Sequence, residues 1–108
     1  MDLKLTDSAS TFYINEIPLQ KGDTLRLFVR VGGVGSGGFS VGVIKDSPQK
    51  TSYTLNKNGV TFFVNEDDFW YLDGMTIDYN EDFGYLDFYS PKFEQTDHPD
   101  LEDEQIKK

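Results

Sequence analysis

Between Thr24 and Val31 the chain alternates with a period of two, Leu25, Leu27, Val29 and Val31 falling on one side and Thr24, Arg26, Phe28 and Arg30 on the other. Successive side chains of a strand point to opposite faces, so this pattern predicts a β-strand and separates its two faces. Phe39 to Ile44, Ser52 to Leu55, Val60 to Val64, Met75 to Tyr79 and Tyr85 to Tyr89 are further runs rich in the aromatic and β-branched residues that fill pleated surfaces. Lys57-Asn58-Gly59, Asp73-Gly74 and Asp82-Phe83-Gly84 punctuate them with turn residues. Helical spacing appears in two places only. Ala9, Phe12, Tyr13 and Ile17 follow Thr6 as N-cap and stop before Pro18, and Glu66 to Leu72 follow Asn65 as N-cap, with three acids in the first turn and Gly74 just beyond the end. Six strands and two short helices predict a mainly β (β-rich α+β) layered domain, mostly antiparallel, whose strand order local pattern leaves open.

The 108 residues suit one core, and 37% hydrophobic with 15% aromatic content is enough to build it. Charge is unevenly spread. Residues 1–57 hold 7 basic and 5 acidic side chains, whereas residues 58–91 hold 8 acidic and no basic ones. Residues 94–108 add 6 acids and 2 bases with only Leu101 and Ile106 apolar, so one domain over 1–93 and an acidic, mobile tail over 94–108 are expected. A net charge of −9 repels phosphate backbones and anionic lipid. Neither nucleic acid nor a membrane is expected as partner, because the opening Met1 to Asp7 has no apolar signal core and no apolar run approaches the ~20 residues of a membrane helix. The expected location is the cytoplasm.

There is no cysteine. Disulfides, a thiolate nucleophile, cysteine-held zinc and ordinary iron–sulphur ligation are therefore excluded. Gly33, Gly35 and Gly38 match a G-x-G-x-x-G spacing, but a strand follows where a dinucleotide site requires a helix N-terminus. Five glycines between Gly32 and Gly38 (Gly32, Gly33, Gly35, Gly37 and Gly38) exceed what a tight turn needs, which suggests that another group packs against or enters this loop. The acids Glu66, Asp67, Asp68, Asp73, Asp78, Glu81 and Asp82 follow no calcium-loop register. His98 is the only histidine, and no serine sits in a nucleophile elbow near it. An enzyme built on the acidic cluster would lack a nucleophile–base pair. Arg26 and Arg30 flank Phe28 on one strand face, suited to the chain's own acidic stretch, a second subunit or an acidic partner. Phe69-Trp70-Tyr71-Leu72 cannot all be buried by one helical turn, which makes Trp70 a further candidate contact residue.

Taken in order, these signals resemble the HesB-like family of A-type iron–sulphur cluster assembly proteins. The resemblance is carried by Leu5-Thr6-Asp7-Ser8-Ala9 before a helix, by Leu25-Arg26-Leu27-Phe28-Val29-Arg30-Val31 ending in Gly32-Gly33, and by Asn58-Gly59-Val60. It continues through Tyr71-Leu72-Asp73-Gly74-Met75-Thr76-Ile77-Asp78-Tyr79 and Phe88-Tyr89-Ser90-Pro91. It implies a compact β-sandwich or barrel-like fold of six or seven short strands, often dimeric or higher, in proteins that carry iron or an iron–sulphur cluster and deliver it to apo-proteins. The family's cysteine after Gly-Gly falls here on Val34, and its later cysteine pair falls at or near Asp97 and Pro99. Neither valine nor proline replaces a thiolate, and an Asp97 carboxylate, with His98 assisting from a second subunit, would bind iron only weakly. The expectation is a non-enzymatic, cysteine-free member that keeps the scaffold and a surface for assembly or recipient proteins but carries no cofactor. The alternative is a small protein-interaction module unrelated to iron–sulphur chemistry. Unpaired strand edges are consistent with a homodimer.

Overall fold

A computed structural model describes residues 1–32 and 38–91. Seven strands and two α-helices follow one another as β1 (Leu3–Leu5), α1 (Asp7–Glu16), β2 (Thr24–Val31), β3 (Phe39–Lys45), β4 (Tyr53–Lys57), β5 (Val60–Val64), α2 (Phe69–Leu72), β6 (Met75–Asn80) and β7 (Tyr85–Tyr89). A 3-10 turn over Glu66–Asp68 leads into α2. The strands form two sheets, ordered β1-β6-β7 and β3-β2-β5-β4. Neighbours pair antiparallel except β1 with β6 and β2 with β5.

Local chemistry explains the elements. Asn58 and Gly59 have φ of +54° and +81° between the paired residues Lys57 and Val60, which makes the two-residue turn whose twist suits an antiparallel hairpin. Asn80 Oδ1 accepts from the amides of Asp82 and Phe83 at 3.0 and 3.1 Å, turning the chain from β6 into β7. At the start of α1, Thr6 Oγ1 accepts from the Ala9 amide at 3.2 Å, as an N-cap should. Asn65 occupies the N-cap position of the second helical segment but makes no capping bond; its Oδ1 accepts from Ser52 Oγ at 2.6 Å instead.

β1 is the element that the sequence does not announce. Three residues are too few to show a period, and the strand exists because Leu3, Lys4 and Leu5 pair in parallel with Met75, Thr76 and Ile77. Both ends are tied: the Asp2 amide donates to Asp73 Oδ1 at 2.7 Å, and the Thr6 amide donates to the Ile77 carbonyl at 3.0 Å. Leu3 and Leu5 then join Ala9 and Tyr13 of α1, Leu25 and Leu27 of β2, Phe62 and Val64 of β5, Leu72 of α2, and Met75 and Ile77 of β6 in one apolar core shared by both sheets. The inward face of β2 leaves that core as it proceeds, from Leu25 and Leu27, fully buried, to Val31, 87% exposed.

Candidate functional site

The resemblance points to the connection between β2 and β3. Gly32 and Gly38 stand at its ends with φ of +92° and +83°, a conformation that other residues adopt only with strain. The Gly32 amide donates to the Gly38 carbonyl at 2.6 Å, and Ser40 Oγ donates to the Gly32 carbonyl at 3.1 Å, so the loop is closed at its base. Gly33, Val34, Gly35 and Gly37 lie outside the described residues, and with them any group entering the loop; Asp97, His98, Pro99 and the proposed boundary between 93 and 94 lie outside them as well.

Aromatic residues of α2 support the loop base. The Tyr71 hydroxyl donates to the Phe39 carbonyl at 3.2 Å, and the Phe39 ring meets Trp70 edge-on with centroids 5.2 Å apart. Edge-to-face contacts of this kind orient rings as well as bury them. One helical turn directs four successive side chains around the whole helix, and here Tyr71 and Leu72 point inward while Trp70 keeps 52% of its surface exposed. Beside Val31 this gives an apolar rim at the loop base that the period of β2 alone did not reveal.

The Arg26 face meets the chain's own acidic run. Pairing of β2 with β5 ends at Arg26 and Phe63 because the chain leaves β5 one residue later. The edge so freed is taken by Asp68, whose Oδ1 accepts from the Val29 amide at 3.3 Å and whose Oδ2 accepts from Arg26 Nη2 at 3.1 Å. The Arg26 guanidinium also lies 5.4 Å from the centroid of the Phe28 ring. Arg30, exposed at the end of the same face, runs along Gly42: a Cβ there would come within 2.7 Å of Arg30 Cγ and 2.8 Å of Phe28 Cζ. Arg26 is thus held in place, whereas Arg30 remains at the surface.

A second polar centre joins α1 to β6. Asp78 Oδ1 accepts from Thr6 Oγ1 at 2.6 Å and from Ser8 Oγ at 2.9 Å; these two bonds, Thr6 first, hold the carboxyl below the usual carboxylate range. Next to it an open cleft of about 670 Å³ is lined by Asp7, Ser8, Phe12, Glu16, Tyr79 and Glu81, with Phe12 stacked on Tyr79 at 4.4 Å. Beneath α1, burial pushes the Tyr13 phenol far above its ordinary range.

Iron–sulphur clusters are held by thiolates, and the chain offers none. Among the described residues no three of His, Asp and Glu converge as a ligand set either. The donor set does not fit a cluster. No helix among the described residues is long and apolar enough to cross a membrane.

Two mixed sheets around one core, with a glycine-rich β2–β3 connection, define the fold shared by proteins of cluster assembly. Escherichia coli SufA, involved in biosynthesis of iron–sulphur clusters, superposes with a TM-score of 0.60 over 83% of this chain and 81% of its own, at 24% identity. IscA with a [2Fe-2S] cluster gives a TM-score of 0.59 over 83% of each chain, also at 24% identity. Residues 1–99 match the profile of the iron–sulphur cluster biosynthesis family, and the chain belongs to that family. The pyruvate dehydrogenase inhibitor of Bacillus subtilis (strain 168) is 41% identical over 86 residues, covering 76% of this chain and 90% of that protein. A putative iron–sulphur cluster insertion protein ErpA of Thiobacillus denitrificans is 40% identical over 80 residues, covering 73% and 69%.

Proposed function

We propose that this chain is a non-enzymatic member of the family that acts by binding a protein instead of carrying a cluster, with pyruvate dehydrogenase as its target. The observation that carries the proposal is the lack of any cysteine in a chain that otherwise keeps the family scaffold. A scaffold without soft ligands retains only its surface as a means of action. The Bacillus subtilis relative, aligned over 90% of its length, is named for inhibiting pyruvate dehydrogenase, which supports that target. Arg30 and Trp70 are the proposed contact residues, with Arg26 fixed behind them by Asp68. Val34, Asp97 and Pro99 are taken as degenerate ligand positions, and the Asp97 and His98 pair as at most a weak iron site. The protein works in the cytoplasm with neither membrane nor nucleic acid, as one domain over 1–93 with 94–108 appended, alone or as a homodimer.

The ErpA relatives favour a second version, in which the bound proteins are assembly factors or recipients of clusters. One experiment separates the two. The full chain is titrated into Bacillus subtilis pyruvate dehydrogenase while pyruvate-dependent NADH formation is followed, and a parallel sample is reconstituted anaerobically with ferrous iron and sulfide and then desalted. Inhibition that saturates, together with a colourless, metal-free protein, is expected. An unchanged NADH rate at excess protein refutes the target, and iron and sulfide retained in stoichiometric amounts return the chain to the cluster carriers.

A further inference from the structure

The outer face of the β1-β6-β7 sheet carries an unusual combination. Asp78 of β6 and Asp87 of β7 are directly opposed in the ladder, and Thr76 with Tyr89 and Asn80 with Tyr85 are the neighbouring pairs on the same face. Like charges placed opposite each other destabilise a strand pair. Lys4 of β1 stands opposite Thr76 on the same face, but neither carboxylate takes part in an ion pair among the described residues, where the pairs join Arg26 to Asp68, Lys45 to Asp23 and Lys57 to Asp7. The Thr6 and Ser8 bonds hold Asp78 in the charged form.

Aromatic surface surrounds this pair. Tyr85 and Tyr89 flank Asp87 with 52% and 48% of their surface exposed, and Phe83, 76% exposed, stacks on Tyr85 with ring centroids 6.1 Å apart. Among the described residues β7 has a strand neighbour on its β6 side only. An edge without a strand partner among the described residues, exposed rings and two opposed carboxylates together form the surface that an extended, cationic segment would complete, since its backbone can pair with an edge strand and its side chains can lie over phenol rings beside a carboxylate.

We infer that the β6–β7 face, centred on Asp78, Asp87, Tyr85 and Tyr89, docks an extended arginine- or lysine-bearing segment of a partner protein. The inference rests on the proposed function only in taking the occupant to be a protein. Residues 94–108, with 6 acids and 2 bases, carry the same sign as the face. Binding places a cation beside the opposed carboxylates, so affinity should fall steeply with salt.

The probe is an extended peptide alternating arginine and valine, with a glutamate-for-arginine counterpart as control, titrated into the full isotope-labelled chain and followed by amide chemical shifts. Salt-sensitive perturbations over Thr76–Asn80 and Tyr85–Tyr89, with no response to the control, are expected. Asp87→Lys and Tyr85→Ser, both exposed positions, should each weaken binding at least tenfold with the thermal melt preserved, whereas Glu66→Lys, acidic but elsewhere, should leave it unchanged. Shifts centred on Glu66–Asp68, equal binding of the control, or an unaffected Asp87→Lys variant overturns the inference. Salt-reversible self-association in sedimentation, lost in Asp87→Lys, would also overturn it by making a second copy the occupant. No pyruvate dehydrogenase is present in this titration, so a failure here and a failure of the NADH assay are separate results.

Discussion

Replacing Asp68 by alanine tests how the two halves of the molecule are joined. The carboxylate accepts from the Val29 amide at 3.3 Å and from Arg26 at 3.1 Å, and it closes the stretch of β2 that β5 no longer covers. Alanine leaves a backbone donor and a guanidinium without their acceptor. Breaking a fully buried ion pair costs about 3–5 kcal/mol. Here the Arg26 side chain is 28% exposed and that of Asp68 11%, so water recovers part of the loss and about 2–3 kcal/mol is expected. For a domain of this size each kcal/mol moves the melting temperature by ~4–8 °C, which gives a fall of roughly 10–20 °C. Asp68→Asn keeps an acceptor and loses the charge, at a cost of about 1 kcal/mol. Urea melts of Asp68→Ala, Arg26→Met and the double variant close a cycle whose coupling should reach about 1–2 kcal/mol. A single-variant loss below ~0.5 kcal/mol with additive effects would show that the bridge does not hold the edge.

Gly59→Ala places a β-carbon in the left-handed region and within 2.7 Å of Lys21 Cγ; a loss of about 1–2 kcal/mol in chemical melts is expected, and an unchanged midpoint would contradict it. Tyr13 has a raised phenol pKa, so its contribution is complete below the ordinary value near 10 and is lost as pH rises beyond it; stability followed from pH 8 upward should fall more steeply in the wild type than in Tyr13→Phe. Asp78 has a lowered carboxyl pKa, so its contribution is present above the ordinary value near 3.9 and is lost as pH falls through the lower folded value. Acid titration followed by far-ultraviolet dichroism should therefore find Asp78→Asn less sensitive to acid than the wild type; equal sensitivity would sever the link to Thr6 and Ser8.

The limits of the sequence show at particular residues. The alternation in Thr24 to Val31, the Asn58-Gly59 turn and the Thr6 cap were legible because each depends on φ, ψ and side-chain direction within a few residues. The HesB-like resemblance was legible for a similar reason, since the order of short motifs along a chain is itself local information. Trp70 could be singled out by simple geometry, because one helical turn cannot hide four large side chains. Zero cysteines needed no structure at all, and that count alone separates this chain from thiolate-based cluster binding.

Other features exist only once distant segments meet. β1 is a strand because 70-odd residues later β6 offers it a parallel edge. Asn65 gives up its cap to bond Ser52. Asp68, one of three consecutive acids, becomes the partner of Arg26 and Val29 because β5 ends where it does. Asp78 and Asp87 look like ordinary surface carboxylates until the β6–β7 register sets them face to face. Composition, turns and periodicity determined which elements form and which ligand chemistry is missing, because those properties are written in neighbouring residues. Only the tertiary structure decided which charges are answered and which are left exposed, because pairing across sheets is a property of register and topology, to which no short window of sequence has access.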